Sequence, residues 1–71
     1  MLTKKSSLYA VRKYLHDGLK IWCTILRSHL IVIPLKKVDF NKVRDFLLNS
    51  GLSKDDFYLL DDDDVCYFSF K

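Results

Sequence analysis

The sequence predicts a small, single α+β domain of element order αββαββ, with an antiparallel sheet carrying both helices on one face. Three observations lead there. In composition, all nine acidic residues of the 71 are Asp, Glu and Gln do not occur, and Ala occurs once. Three of the best helix formers are thus nearly missing, whereas eleven Val, Ile and Thr and ten aromatics favour strands. Second, two pairs of short β-branched or aromatic runs read as hairpins. Third, Val11-Arg12-Lys13-Tyr14-Leu15 followed by Gly18-Leu19 parallels Val43-Arg44-Asp45-Phe46-Leu47 followed by Gly51-Leu52. The offset is 32 residues, growing to 33 at the glycine.

The first helix is expected over residues 7–17. Ser6 or Ser7 caps it, and Leu8, Val11 and Leu15 form one stripe at helical spacing. Gly18 would take the left-handed position after the helix, with Leu19 packing back. The alternative is a strand over Leu8–Leu15 entering an Asp17-Gly18 turn, which would make the order βββαββ. Lys20–Leu26 and Leu30–Leu35, joined by Arg27-Ser28-His29, read as a hairpin with Pro34 at a strand end or edge. A single buried helix across Ile21–Ile33 is the competing reading, because periodicity alone does not separate the two.

The second helix, from about Asp39 to Ser50, carries the clearest signals. Asp39 is a good N-cap, Val38 and Val43 have the spacing of a hydrophobic staple, and Phe40, Val43 and Leu47 form a stripe with Phe46 alongside. Gly51 suits the left-handed position beyond the helix end, with Leu52 reaching back to Leu47. A second hairpin follows: Phe57–Leu60, a tip of Asp61–Asp64, then Val65–Phe70. Cys66, Phe68 and Phe70 share one face there, and Val65, Tyr67 and Ser69 the other.

Taken together, the chain reads as an αββ unit occurring twice, with pseudo-repeats 6–37 and 38–71. This order is what a ferredoxin-like βαββαβ chain becomes when its first strand moves to the end. Both helix stripes would cover one face of a four-stranded sheet, leaving the other open to solvent or a partner.

The longest apolar run, Leu30–Leu35, is six residues and includes Pro34, far short of a membrane span. Met1–Ser7 holds Lys4 and Lys5 with no apolar stretch behind them, which argues against a secretory leader. Cys23 and Cys66 sit in apolar runs and read as buried reduced thiols of a cytoplasmic protein.

Catalytic and metal constellations are not legible. No His and Cys pair has zinc-ligand spacing, since His16 and His29 fall in expected turns and both cysteines on expected strands. Asp61–Asp64 lacks the alternation and glycine of a calcium loop. The serines sit in no nucleophile elbow, and the two glycines leave no phosphate-binding loop. The chain is therefore expected to be no enzyme, with no cofactor and no metal.

Charge is segregated along the chain. Residues 1–54 carry eleven basic and three acidic side chains, residues 55–71 one basic and six acidic. This predicts a small regulator or inhibitor, of the kind a viral accessory protein is, that docks on a protein partner through the acidic tip Asp61, Asp62, Asp63 and Asp64, or pairs as a homodimer. The other reading is nucleic-acid binding, with Lys20, Arg27, Lys36 and Lys37 on phosphates and the aromatics Trp22, Tyr58 and Tyr67 stacking bases from the open sheet face. No membrane association is expected.

Overall fold

The computed structural model describes residues 1–71 and has the predicted order, αββαββ. The first helix, α1, spans Leu8–Leu19. Ser7 caps it, its hydroxyl accepting from the Ala10 N–H at 3.1 Å, and Val11 and Leu15 are fully buried. The alternative N-terminal strand is thereby overturned, and with it the βββαββ order. Residues 8, 11 and 15 can share one buried side only on a helix.

Gly18 does not end α1. It stays inside the helix, and Lys20 takes the left-handed position (φ 57°), its N–H donating to the His16 carbonyl. The reason lies across the core. A Cβ on Gly18 would stand 1.8 Å from the Phe46 ring, so this glycine is required for close approach of the second helix. The helix runs two residues past its expected end, and His16 lies within it and not in a turn.

The first hairpin is β1, Thr24–Leu26, and β2, Leu30–Pro34, in antiparallel register with Ile25 opposite Ile31. This removes the single-helix reading of Ile21–Ile33. The first strand is shorter than expected, beginning at Thr24 and not at Lys20. Burial still alternates upstream, with Ile21 and Cys23 buried and Trp22 exposed between them. Pairing stops nonetheless, because residue 22 would fall opposite Pro34, which has no N–H to give. Cys23 accordingly lies outside the strand.

Helix α2, Phe40–Leu48, starts where expected: the Asp39 carboxylate accepts from the Lys42 N–H at 2.7 Å. It ends sooner than Ser50, with Asn49 as its C-cap. Ser50 is buried, its hydroxyl donating to the Leu47 carbonyl at 2.5 Å. Gly51 takes the positive φ (109°) that turns the chain away. The second hairpin, β3 (Phe57–Asp62) and β4 (Val65–Phe70), reaches further than expected. Asp61 and Asp62 are strand residues, leaving only Asp63 and Asp64 as the turn, with Asp63 at φ 53°.

The sheet order is β1-β2-β4-β3, every neighbouring pair antiparallel. β2 and β3 therefore run parallel, joined by α2, with β4 inserted between them. Val11 and Leu15 of α1, Val43 and Leu47 of α2, and Ile31, Ile33, Cys66 and Phe68 of the sheet form one buried cluster. Both helices thus cover the same face. Between them the Tyr14 and Phe46 rings stack at 4.6 Å. No helix is long and apolar enough to cross a membrane.

Candidate interaction surfaces

Two surfaces stand out, and the alternation of the strands creates the first. Since Ile31, Ile33, Cys66 and Phe68 point into the core, their neighbours must point the other way. Val32 lies opposite Tyr67, Tyr67 opposite Leu60, Leu26 opposite Leu30, and Tyr58 opposite Ser69. Nothing in the chain covers this face: Leu60 is 62% exposed and Tyr58 52%. Its one cation, Lys71, lies over the Tyr58 ring at 5.0 Å.

The Asp61–Asp64 tip stands at one corner of the sheet, all four carboxylates exposed. The Asp64 carbonyl accepts from the Leu35 N–H at 2.7 Å, which ties the tip to the end of β2. The Asp61 carboxylate faces Cys66 across the β3–β4 pair. Burial first, then this carboxylate, then Cys23, push the Cys66 thiol up to about 12. Burial likewise raises Cys23 to about 11, with the Arg12 guanidinium working in the opposite direction. Both thiols are free and buried.

The second surface centres on Trp22, which is 79% exposed. The anchored neighbours Ile21 and Cys23 force it outward, and the His16 ring packs against it at 4.1 Å, tilted by 42°. A recess lies on each side of it. One, of about 220 Å³, is lined by Lys20, Ile21, Trp22, Pro34, Lys36 and Lys37. The other, of about 360 Å³, lies against α1 and is lined by Tyr9, Arg12, Lys13, His16, Trp22 and Cys23. Neither has a carboxylate in its wall.

Four of the seven residues expected to contact nucleic acid, Lys20, Trp22, Lys36 and Lys37, therefore come together at one recess. The other three do not. Arg27 lies in the β1–β2 turn at the opposite end of the sheet, and Tyr67 in the middle of the open face. Tyr58 shares that face with Tyr67, but Trp22 stands at the sheet's rim, because the chain there has left the ladder. Sequence reading missed the α1 side of the site. Tyr9, Arg12, Lys13 and His16 recur at i, i+3, i+4 and i+7, an outward stripe visible once the inward stripe of α1 is accepted.

The only opposite-charge contacts are the exposed Arg44–Asp45 pair at 3.8 Å and His16–Asp17 at 3.7 Å, the latter ionic only with a protonated imidazole. Lys20, Lys36 and Lys37 and the four tip carboxylates are thus unpaired within the chain. No protein-family model, curated protein or solved structure matches this chain.

Proposed function

We propose that the chain is a non-enzymatic protein-interaction module that works as a homodimer joined through the open face of its sheet. The observation that carries this reading is the uncovered apolar row Val32, Tyr67 and Leu60, flanked by Leu26, Leu30 and Tyr58. A contiguous patch of this kind favours association. Its nature points to protein: the face offers a single cation, and the adjoining acidic tip repels phosphates and anionic lipid alike.

Size fits a modest interface. Four strands at about 4.8 Å spacing and five residues at about 3.3 Å rise span roughly 19 by 17 Å. Two such faces, with side-chain relief, bury on the order of 1,000 Å² in total, at the lower bound for a specific contact. Charge then selects a second copy and its orientation. At one end of the sheet Lys20, Lys36 and Lys37 flank the β1–β2 side, and Asp61–Asp64 the β3–β4 side. A twofold axis parallel to the strands lays each acidic tip over the other copy's lysines, and does so twice. An axis across the strands would instead set those lysines over Arg27 and His29.

Four of the six serines, and Asp39, have structural duties. Ser7 and Asp39 cap helices, the Ser50 hydroxyl bonds a helix carbonyl, and the Ser6 and Ser53 hydroxyls accept from nearby backbone N–H groups. Such a dimer acts by occupying the surface of a larger protein, as a regulator or inhibitor does.

The test is mass in solution. Area does not set affinity and a small interface leaves room for weak pairing, so light scattering should extend to about 1 mM. The expected mass is twice the 8.4 kDa of one chain. Val32→Lys with Tyr67→Lys should give a monomer of unchanged circular dichroism, and Asn at all four tip positions should weaken pairing most at low salt. A monomer across the whole range overturns the reading.

A further inference from the structure

We propose that the recess between α1 and Trp22 binds single-stranded nucleic acid, a base stacking among its aromatic walls while Arg12 and Lys13 hold the phosphates beside it. The argument begins with the helix. Because Val11 and Leu15 face the core, residues 9, 12, 13 and 16 must form the outward stripe of α1. That stripe alternates ring and cation: Tyr9, Arg12, Lys13, His16. The Arg12 guanidinium lies over the Tyr9 ring at 5.1 Å, and the His16 ring over Trp22 at 4.1 Å. Two rings at one end and one at the other thus bound a recess of about 360 Å³ whose walls hold two cations.

The exposure of Trp22 is the second observation. Burying an indole is among the most favourable steps open to a small protein, yet here it is 79% exposed. It also rests against the His16 ring, tilted by 42°, which favours a setting of the indole beside the recess over collapse onto the sheet. An exposed aromatic plane beside unpaired cations is the arrangement that binds unstacked bases. The only nearby carboxylate, Asp17, is turned to His16 at 3.7 Å and lines neither recess.

Ligand class follows from these two features. Flat aromatic walls ask for a π-face, and cations without acids ask for repeated negative charge. A single strand supplies both, whereas a duplex hides its base faces in the stack. The recess lies on the helix side of the sheet, so the dimer proposed above leaves it open. This inference does not rest on that dimer.

Trp22 is the only tryptophan in the chain, so its own fluorescence reports the site. The titrant is oligothymidylate of about ten nucleotides, within the span of a small single-strand site. Saturable quenching is expected at low salt, and with two or three phosphates neutralised the affinity should fall about tenfold between 50 and 200 mM salt. Arg12→Glu with Lys13→Glu should abolish the signal. Trp22→Leu, followed by anisotropy of a labelled oligonucleotide, should weaken binding about tenfold. The monomeric Val32→Lys, Tyr67→Lys variant should bind as the parent does, which separates this outcome from failure of the dimer. Three results overturn the proposal: no quenching at low salt, undiminished binding by the Arg12, Lys13 variant, or equal quenching by inorganic polyphosphate, which has no base to stack.

Discussion

Gly18 shows how a single residue sets the distance between the helices. Its missing Cβ seats the Phe46 ring, which is stacked in turn on Tyr14. Gly18→Ala brings a helix-propensity gain of about 1 kcal/mol, but the ring must leave its seat, and such overpacking costs about 1–3 kcal/mol. The expected net effect is destabilisation of about 1 kcal/mol by urea unfolding, and it should shrink when Phe46→Leu is already present. A residue-scale consequence of the buried thiols is a loss of stability in alkali. Both folded thiols titrate higher, about 11 and 12, than an unfolded cysteine at about 8.5. The folded state therefore holds its protons more tightly, and this stability is complete below about pH 8.5 and drains away as pH rises towards 11–12. The urea midpoint should fall between pH 8 and pH 10, and fall less in Cys66→Val. Some of these residue roles were legible in the sequence and others were not. Asp39 carries a local signal, a short acceptor ahead of an apolar stripe. Gly18 and Lys20 exchange roles because the deciding contact comes from Phe46, and no local pattern encodes it.

At the scale of elements, the turns are where this chain departs most from favourable chemistry. The β1–β2 turn holds Arg27 and Ser28 both at positive φ, 57° and 60°. A residue with a Cβ spends roughly 1–2 kcal/mol in that region. Two local contacts compensate: the His29 N–H donates to the Leu26 carbonyl at 3.4 Å, and the His29 Nδ1 lies 2.9 Å from the Arg27 carbonyl. Ser28→Gly removes the steric cost but adds freedom to the unfolded chain, which returns about 0.4–1 kcal/mol. The expected gain is about 0.5–1 kcal/mol, read as a higher thermal midpoint with the sheet signal unchanged; a loss would show that the hydroxyl holds the turn. The absence of Gly or Asn there left the turn type illegible from the sequence. The strands β2 and β4 were legible because alternation and burial coincide in them. β1 was overextended because alternation of burial continues through Ile21 and Cys23 after hydrogen bonding has ended. The carboxylate run erred in the opposite direction. Asp disfavours strands, yet the register carries β3 to Asp62 because Val65 stands opposite.

Across the whole molecule, sheet order and register share one symmetry. Exchanging the halves turns β1-β2-β4-β3 into itself, and it maps the central pair Ile31–Phe68 onto Cys66–Ile33. The Tyr14–Phe46 stack sits where the two helices meet, at positions 32 residues apart. This level was legible because the order αββαββ leaves one sheet face open whichever residues fill it. The Trp22 site was not, since it depends on where the chain leaves β1 and on a helix stripe that matters only once Trp22 stands beside it. Charge changed its meaning too: the basic body and acidic end of the sequence become neighbouring corners of one sheet. The symmetry also locates cooperativity. Neither half owns a complete sheet: residues 1–37 end in β2 with an unpaired central edge, and residues 38–71 do the same at β4. Each half also leaves Tyr14 or Phe46 without its stacking partner. A two-stranded hairpin under one helix is at or below the size a core can stabilise. Residues 1–37 and 38–71, prepared as separate peptides, should therefore each show no cooperative urea transition by circular dichroism. Mixed at equal concentration, they should recover helical signal together, with a midpoint that rises with concentration because pairing of β2 with β4 has become bimolecular. A sigmoidal, concentration-independent transition in either peptide alone would place cooperativity inside the αββ unit instead, and the central strand pair would no longer be the contact on which folding depends.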